Sequence, residues 1–305
     1  LTLGYLDSTS VIVSTDNGTA ILLVATTKSS GTLNLSGGQL ILTTTGAAIA
    51  GGTGTRTVIL NGIKLVAGTS SASFITNLTT ATVQPGGVTF DTANFNITVA
   101  QVLGNGGGGL TKTGAGQLTL SKVNTYTGNT VIGAGTLALA GAGSIGNSAQ
   151  IIISNAAVLD VAGRNDQTLT LNNGQSLRGG GTVQGKLNCL SGSTLNPGDA
   201  IGALLVQSNI TLTGMVLMEL NRTNTPASDE LISSAGTIAG GGTLTVTNLG
   251  PVLQAGDTFQ LFSAPASGFA FVHLPDVGPG LAWTNKLAFD GTIELLSVVA
   301  TNPTN

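Results

Sequence analysis

The chain has 305 residues with a formal net charge of −3, and only 8% of them are charged, against about 25% in ordinary soluble domains. Hydrophobic residues still make up 41%, which excludes a disordered linker, and the lack of a basic stripe argues against nucleic-acid binding. No apolar run approaches the roughly 18 residues of a membrane-spanning helix, so we predict no transmembrane segment in this chain.

The N-terminal part opens directly in a strand-like pattern at Leu1–Leu3. Further on, Gly31–Leu35 and Gly38–Leu42 are two copies of a Gly-x-Leu-x-Leu unit. In such a unit both leucines point to one face of a strand and the residues between them to the other, which predicts short half-buried strands. Because the chain begins with leucine and not methionine, we expect a trimmed product of a longer precursor.

The same unit recurs in the middle of the chain. Gly116–Leu120 reads Gly-Gln-Leu-Thr-Leu, and Gly135–Leu139 reads Gly-Thr-Leu-Ala-Leu. A short strand that recurs about every 20 residues is typical of a β-solenoid, in which each coil buries its apolar face only when neighbouring coils stack on it. The interval from position 116 to position 135 therefore predicts an elongated all-β repeat domain.

Residues 106–139 also carry a family resemblance. Gly108–Leu120, Asn124–Gly128 and Gly135–Leu137 resemble, in this order, the autotransporter-associated β-strand repeat, which is also called the passenger-associated transport repeat. The resemblance implies a right-handed parallel β-helix and a protein that a bacterium exports to the cell surface or the extracellular space. Lys112, at the lysine position of this repeat, is interpreted as a solvated surface residue.

The composition changes after the solenoid-like part. Leu195–Leu204 is similar to the Pro-Gly-x-x-Ile-Gly turn that follows the repeats in this family. Beyond Gly250 prolines and aromatic residues become frequent; prolines interrupt strand ladders, and aromatic side chains fill a wider core. We therefore predict a parallel β-helix over residues 1–248 and a broader, partly antiparallel β subdomain over residues 249–305, which acts as a cap or interface and ends in a linker-like tail.

The side chains that would support catalysis or metal binding are scattered. Asp229 and Glu230 are the only adjacent acidic pair, and consecutive strand residues point to opposite faces. His273 is the single histidine and lies in an apolar run, which favours a core or interface position, and the single Cys189 is interpreted as a small core residue. We assign no catalytic residue, no metal ligand and no cofactor, and we predict that the protein is not an enzyme.

The main functional hypothesis is a structural extracellular protein that assembles with itself, head to tail, into a filament or surface layer. The first strand has no cap before it, the last strand is long and apolar, and low charge opposes association only weakly. The candidate self-assembly edges are Leu1, Leu3, Tyr5, Leu6, Ile293, Leu295, Leu296, Val298 and Val299.

Two alternatives remain open. One is a monomeric autotransporter-like passenger stalk or adhesin, whose uncharged faces, rich in threonine and asparagine, bind glycans or a cell surface. The other is a polysaccharide-active β-helix enzyme, which would need carboxylates from neighbouring coils to converge within about 5–10 Å.

Overall fold

The structure is a computed structural model, and it describes residues 11–14, 21–23 and 30–298. All regular secondary structure in these residues is β-strand. The chain divides into two compact units, residues 1–168 (unit 1) and residues 169–305 (unit 2). Each unit is built of parallel solenoid coils, and unit 2 also holds a small antiparallel sheet. These findings confirm the predicted all-β parallel β-helix with a partly antiparallel C-terminal region.

The first two strands of unit 1 lie in the short described stretches before residue 30. Its strands are β1 (Val11–Ser14), β2 (Ile21–Leu23), β3 (Ser30–Ser36), β4 (Gln39–Leu42), β5 (Ile49–Gly51), β6 (Thr55–Asn61), β7 (Ile63–Ala67), β8 (Ser71–Thr76), β9 (Thr80–Val83), β10 (Val88–Asp91), β11 (Ile97–Val99), β12 (Gly104–Asn105), β13 (Leu110–Thr113), β14 (Gln117–Leu120), β15 (Thr130–Ile132), β16 (Thr136–Leu139), β17 (Gln150–Ile153) and β18 (Val158–Asp160).

These strands form three sheets in unit 1. The first sheet has the order β1-β4-β7-β10-β13-β15-β17, the second β2-β5-β8-β11-β14-β16-β18, and the third, shorter one β3-β6-β9-β12. All of their described pairs are parallel. Each coil of the chain therefore adds one strand to two or three sheets before it climbs to the next coil.

The Gly-x-Leu-x-Leu units of the family repeat stack in the predicted register. Leu118 pairs with Leu137, and Leu120 pairs with Leu139, so both pairs keep the interval that separates Gly116 from Gly135. All four leucines are buried, and the residues between them on β14 point outward. Stacked leucines of this kind form the thin apolar core of unit 1, and each contributes roughly 1.5–3 kcal/mol by its burial.

The coils vary in length more than a regular period predicts. In the first sheet of unit 1, Val11 pairs with Gln39, whereas Leu110 pairs with Thr130, so the coil between the first two residues is clearly longer. The longer coil also carries β3, a strand of the third sheet, whereas no strand of that sheet lies between β14 and β15. Periodicity therefore locates the strands but does not fix the length of each turn.

Unit 2 continues the same architecture with strands that differ more in length. Its strands are β19 (Thr168–Leu171, which starts on the last residue of unit 1), β20 (Ser176–Gly179), β21 (Thr182–Gln184), β22 (Lys186–Cys189), β23 (Thr194–Pro197), β24 (Ala203–Val206), β25 (Ile210–Leu212), β26 (Met215–Leu220), β27 (Glu230–Ser233), β28 (Ile238–Ala239), β29 (Thr243–Asn248), β30 (Thr258–Gln260), β31 (Ala266–Ser267), β32 (Phe271–His273), β33 (Leu281–Lys286) and β34 (Thr292–Ser297).

Unit 2 has three parallel ladders and one antiparallel sheet. The ladders have the orders β20-β23-β26-β29-β32, β21-β24-β27 and β19-β22-β25-β28-β31. The antiparallel sheet has the order β30-β34-β33, so β34 is its central strand. Because β31 and β32 still join parallel ladders, solenoid pairing extends into residues 249–305.

Aromatic side chains pack within the C-terminal part of unit 2. The ring centroids of Phe259 and Trp283 are 6.2 Å apart, and those of Phe262 and Phe269 are 5.6 Å apart. Phe259 and Phe262 are buried, so aromatic residues contribute to this core as expected. The division at 248/249 and the right-handed coil stay predictions.

Candidate functional site

The sequence analysis placed the lysine of the family repeat on a solvated face, and this interpretation is wrong. Lys112 is fully buried, with 0% of its surface exposed. Burial alternates along β13, so that Leu110 and Lys112 point inward and Thr111 points outward. The interpretation relied on the charge of the side chain and neglected its position in the strand. Lys112 lies two residues after Leu110, and the two-residue period of a strand places both side chains on the inward face.

Three backbone carbonyl oxygens surround the Lys112 ammonium. Its Nζ donates hydrogen bonds to the oxygens of Thr113 at 2.9 Å, Gly114 at 2.8 Å and Ala134 at 3.1 Å. An ammonium carries three donor protons and no acceptor, so three carbonyl oxygens satisfy it fully. Because Ala134 belongs to the next coil, this side chain ties two successive coils together.

The charge of Lys112 is retained at neutral pH. Burial lowers the pKa of Lys112 to about 8, and the nearby charge of Asp91 opposes that shift. Burial also acts to raise the pKa of Asp91, but a hydrogen bond from Lys64, the Ala93 N–H and nearby positive charges outweigh it and lower that pKa. The Lys64 Nζ lies 2.7 Å from Asp91 Oδ2. Alternating charges on three neighbouring coils therefore compensate one another.

The Asn-x-Tyr-x-Gly turn of the repeat is a second internal tie. The Asn124 side chain accepts the N–H of Leu103 at 2.9 Å and donates to the carbonyl of Ser144 at 3.1 Å. Leu103 lies one coil before Asn124 and Ser144 lies one coil after it, so one amide group links three coils. Asn124 is buried, and its hydrogen bonds replace ladder bonds where no regular strand runs.

Tyr126 begins a buried hydroxyl chain in the same turn. Its hydroxyl lies 2.6 Å from Thr130 Oγ1, which lies 2.9 Å from Ser148 Oγ, which in turn donates to the Gly128 carbonyl at 2.8 Å. Tyr126, Thr130 and Ser148 are all buried. Burial raises the pKa of Tyr126 and the hydrogen bond with Thr130 opposes the shift, so the phenol stays neutral.

Replacing Tyr126 by phenylalanine is expected to lower the free energy of unfolding of unit 1 by about 1 kcal/mol. The ring still fills its place, but Thr130 loses one of its two hydroxyl partners. Urea unfolding followed by circular dichroism measures the effect, with Thr125→Ala at an exposed position of the same turn as control. Equal midpoints for the two variants would contradict the assigned role of the hydroxyl.

A buried carboxylate in unit 2 was missed by the sequence analysis. Asp229 is 0% exposed and accepts the N–H of Gly202 at 2.9 Å and that of Glu219 at 2.8 Å. It thereby fastens the Pro-Gly turn at residues 197–202, the second segment that resembles the family. Asp229 has the same parity as the buried Leu231, which is the signal that could have revealed it.

The stability of unit 2 is expected to fall by about 1 kcal/mol between pH 6 and pH 8 because of Asp229. Burial raises the pKa of Asp229 to about 7, above its value of 3.8 in the unfolded chain; the N–H groups of Gly202 and Glu219 oppose this shift, and the Glu219 charge adds to it. The folded state therefore binds the proton more tightly than the unfolded chain does. The stabilisation that results is complete below pH 3.8 and is lost as the pH rises through about 7. Unfolding midpoints of wild type and Asp229→Asn measure it; an equal pH dependence in both would contradict the assignment.

The sequence analysis also singled out the single histidine, His273, and the single cysteine, Cys189. His273 is exposed and stacks on Phe271, with ring centroids 6.3 Å apart, and it lies on an edge strand. A core position is therefore wrong, and the alternative of an interface position stays a prediction. Cys189 is buried as predicted, and burial raises the pKa of its thiol to about 12. In residues 11–14, 21–23 and 30–298, no three His, Cys, Asp or Glu side chains converge as a metal site would require.

The predicted self-assembly edges are only partly accessible in the structure. Ile293 and Leu295 are buried, and β34 has a hydrogen-bonded partner on each side, so it is not an open edge. Leu296 and Val298 are exposed. The sequence did not reveal that Phe259 and Trp283 belong to strands that flank β34. A role of these residues in end-to-end assembly stays a prediction, and the remaining candidates lie outside the described residues: Leu1, Leu3, Tyr5, Leu6 and Val299.

Comparison with known proteins gives two findings. Residues 110–139 match the Passenger-associated-transport-repeat, a match that covers Lys112, Asn124 and Tyr126. The chain is also similar to a protein named "Adhesin BmaC autotransporter" from Brucella suis biovar 1 (strain 1330), with 33% identity over 139 residues. That match covers 45% of this chain and 4% of the relative, so the chain spans a small part of the length of the adhesin.

In the described part of the chain, no helix could cross a bilayer. The repeat match, the stacked register of its leucines and the internal ties of its lysine, asparagine and tyrosine all fall within residues 110–139. Residues 110–139 therefore carry a passenger-associated transport repeat on a parallel β-solenoid.

Proposed function

We propose that this chain is a solenoid segment of an exported bacterial surface protein, and that it acts as a monomeric, non-enzymatic passenger stalk with an adhesive surface. The observation that carries this proposal is the repeat at residues 110–139, in which Lys112, Asn124 and Tyr126 point inward and form internal hydrogen bonds. The similarity to an autotransporter adhesin over 45% of the chain supports it.

The distribution of charge favours adhesion over catalysis. Lys112 and Asp229 are ionisable side chains whose pKa values burial shifts strongly. Both form hydrogen bonds with backbone groups of the protein. Asp257 binds Arg222 with 3.0 Å between Oδ2 and Nε, and Asp166 binds Arg164 at 2.9 Å. Acids that are individually paired in this way do not supply the two converging carboxylates that glycoside chemistry needs.

The C-terminal sheet favours a stalk over a filament. A strand adds to another copy through an unpaired edge, and β34 already has partners on both sides. We therefore propose that the solenoid acts through its side faces. The last strand, β34, which the sequence analysis treated as a free edge, does not carry the function in this proposal.

Adhesion of the isolated chain tests this function. Latex beads coated with the purified chain are expected to bind host cells and extracellular matrix in larger numbers than beads coated with the urea-denatured chain or with albumin. Counting bound beads by microscopy gives the result. Equal counts for the folded chain and both controls would refute the adhesive function.

A further inference from the structure

Two grooves of the same construction cross successive coils, one within each unit. In unit 1 a cavity of about 240 Å³ lies at the corner where the chain enters β10, β13 and β15. In unit 2 a cavity of about 220 Å³ lies at the corner where the chain enters β23, β26 and β29. Each groove therefore spans three neighbouring strands of one parallel ladder.

The floor of the groove in unit 1 is backbone without side chains. The N–H of Val88 donates to the Gly109 carbonyl at 3.0 Å, and the N–H of Leu110 donates to the Asn129 carbonyl at 2.9 Å, which stacks the three corners. A Cβ atom on Gly109 would lie 2.2 Å from the Asn129 oxygen, so no other residue fits there. Close backbone stacking thus leaves a depression that runs across the coils.

One wall of this groove is a row of outward-pointing side chains. Thr89 pairs with Thr111, and Thr111 pairs with Val131, so the three stand one above another at about 4.8 Å intervals. The side chains of Thr89, Thr111 and Asn129 form no hydrogen bond with any described residue of the protein. Pro85 and Val131 add apolar surface.

The groove in unit 2 repeats this chemistry. Thr194, Met215 and Thr243 are register partners and form its wall, and Gly214 and Gly242 lie on its floor. A Cβ on Gly242 would lie 1.8 Å from the Gly214 carbonyl oxygen, so the floor is again bare backbone. Neither groove is lined by a charged side chain.

We propose that both grooves bind neutral saccharides, an inference that rests on the adhesive function and names its ligand class. Threonine hydroxyls in both grooves, with the Asn129 amide in unit 1, lie beside a small apolar surface and complement a sugar ring, which carries hydroxyls on its edge and C–H groups on its faces. A charged ligand would find no counter-charge in the lining. Open grooves of this size bind a single sugar chain weakly.

Isothermal titration of the full chain with neutral tetrasaccharides (cellotetraose, chitotetraose, maltotetraose and mannotetraose) tests the proposal. The expected result is binding of at least one of them at two sites per chain. Thr111→Arg fills the groove in unit 1 and is expected to reduce the stoichiometry to one. The double variant Thr111→Arg/Thr243→Arg is expected to lose measurable binding. Thr98→Arg, which points outward from the second sheet of unit 1, is the matched control.

The outcomes separate this inference from the proposed function. No binding of any tetrasaccharide by the folded wild-type chain overturns the saccharide inference, as does unchanged binding by the double variant with an unchanged unfolding midpoint. If coated beads still adhere to cells after either of these results, the adhesive function stands and only the saccharide inference is lost. If beads fail to adhere while a tetrasaccharide binds at two sites, the groove inference stands and the adhesive function falls.

Discussion

Lys112→Met is expected to lower the free energy of unfolding of unit 1 by about 3 kcal/mol. Methionine has nearly the same length and fills the same space, so the loss isolates the three hydrogen bonds of the ammonium. The carbonyl oxygens of Thr113, Gly114 and Ala134 would remain buried without that donor. A buried cation is often replaceable by an apolar residue, but here its partners are backbone groups that no substitution removes.

The experiment is urea unfolding of the full chain followed by circular dichroism. Lys122→Met is the matched control, because Lys122 is exposed and lies in the same repeat, and its change is expected to stay within about 0.5 kcal/mol. Should both variants unfold at the same urea concentration, Lys112 would not be the tie between coils that its contacts indicate.

Gly116→Ala is expected to destabilise unit 1 by about 3 kcal/mol, through a steric conflict between backbones. An added Cβ would lie 2.0 Å from the carbonyl oxygen of Phe95 and 2.6 Å from its carbonyl carbon. These atoms belong to the preceding coil, so relief requires the coils to separate. Separation would weaken the hydrogen bond from the Gly116 N–H to the Ala93 carbonyl, which is 2.9 Å long.

Gly133→Ala provides the contrast within the same repeat. The nearest atom to its added Cβ is the Lys112 carbonyl oxygen at 3.6 Å, and its backbone does not have a positive φ. We expect a change of less than about 1 kcal/mol in either direction for this variant. Comparable losses for both glycine variants in urea unfolding would contradict the assigned contact between coils at Gly116, because Gly133 has no such contact.

The architecture was predictable because its signals are local and periodic. Alternation within Gly116–Leu120 sets which side chains face inward, and the interval from Gly116 to Gly135 sets which coils stack; both were confirmed by the pairing of Leu118 with Leu137. The same alternation could have placed Lys112 and Asp229 inside, since each shares the parity of a buried leucine. The misplacement of Lys112 came from the ordinary expectation that lysine is solvated.

The partners of the buried polar groups were not predictable in the same way. The carbonyl of Ala134 and the N–H of Gly202 are backbone groups that carry no sequence signature, and turns of unequal length bring them into reach. The pairing of β34 was missed for a related reason, because antiparallel neighbours at the C-terminus do not follow the repeat. The grooves likewise depend on how closely the corners stack, which only the three-dimensional structure gives.

Sedimentation velocity of the purified chain, over a wide range of concentrations at neutral pH, tests most directly whether it works as a monomeric stalk. Our account predicts one species with the mass of a single chain, 30.1 kDa, at every concentration. A mass that grows steadily with concentration, without reaching a closed oligomer, would contradict it and restore end-to-end assembly as the better explanation.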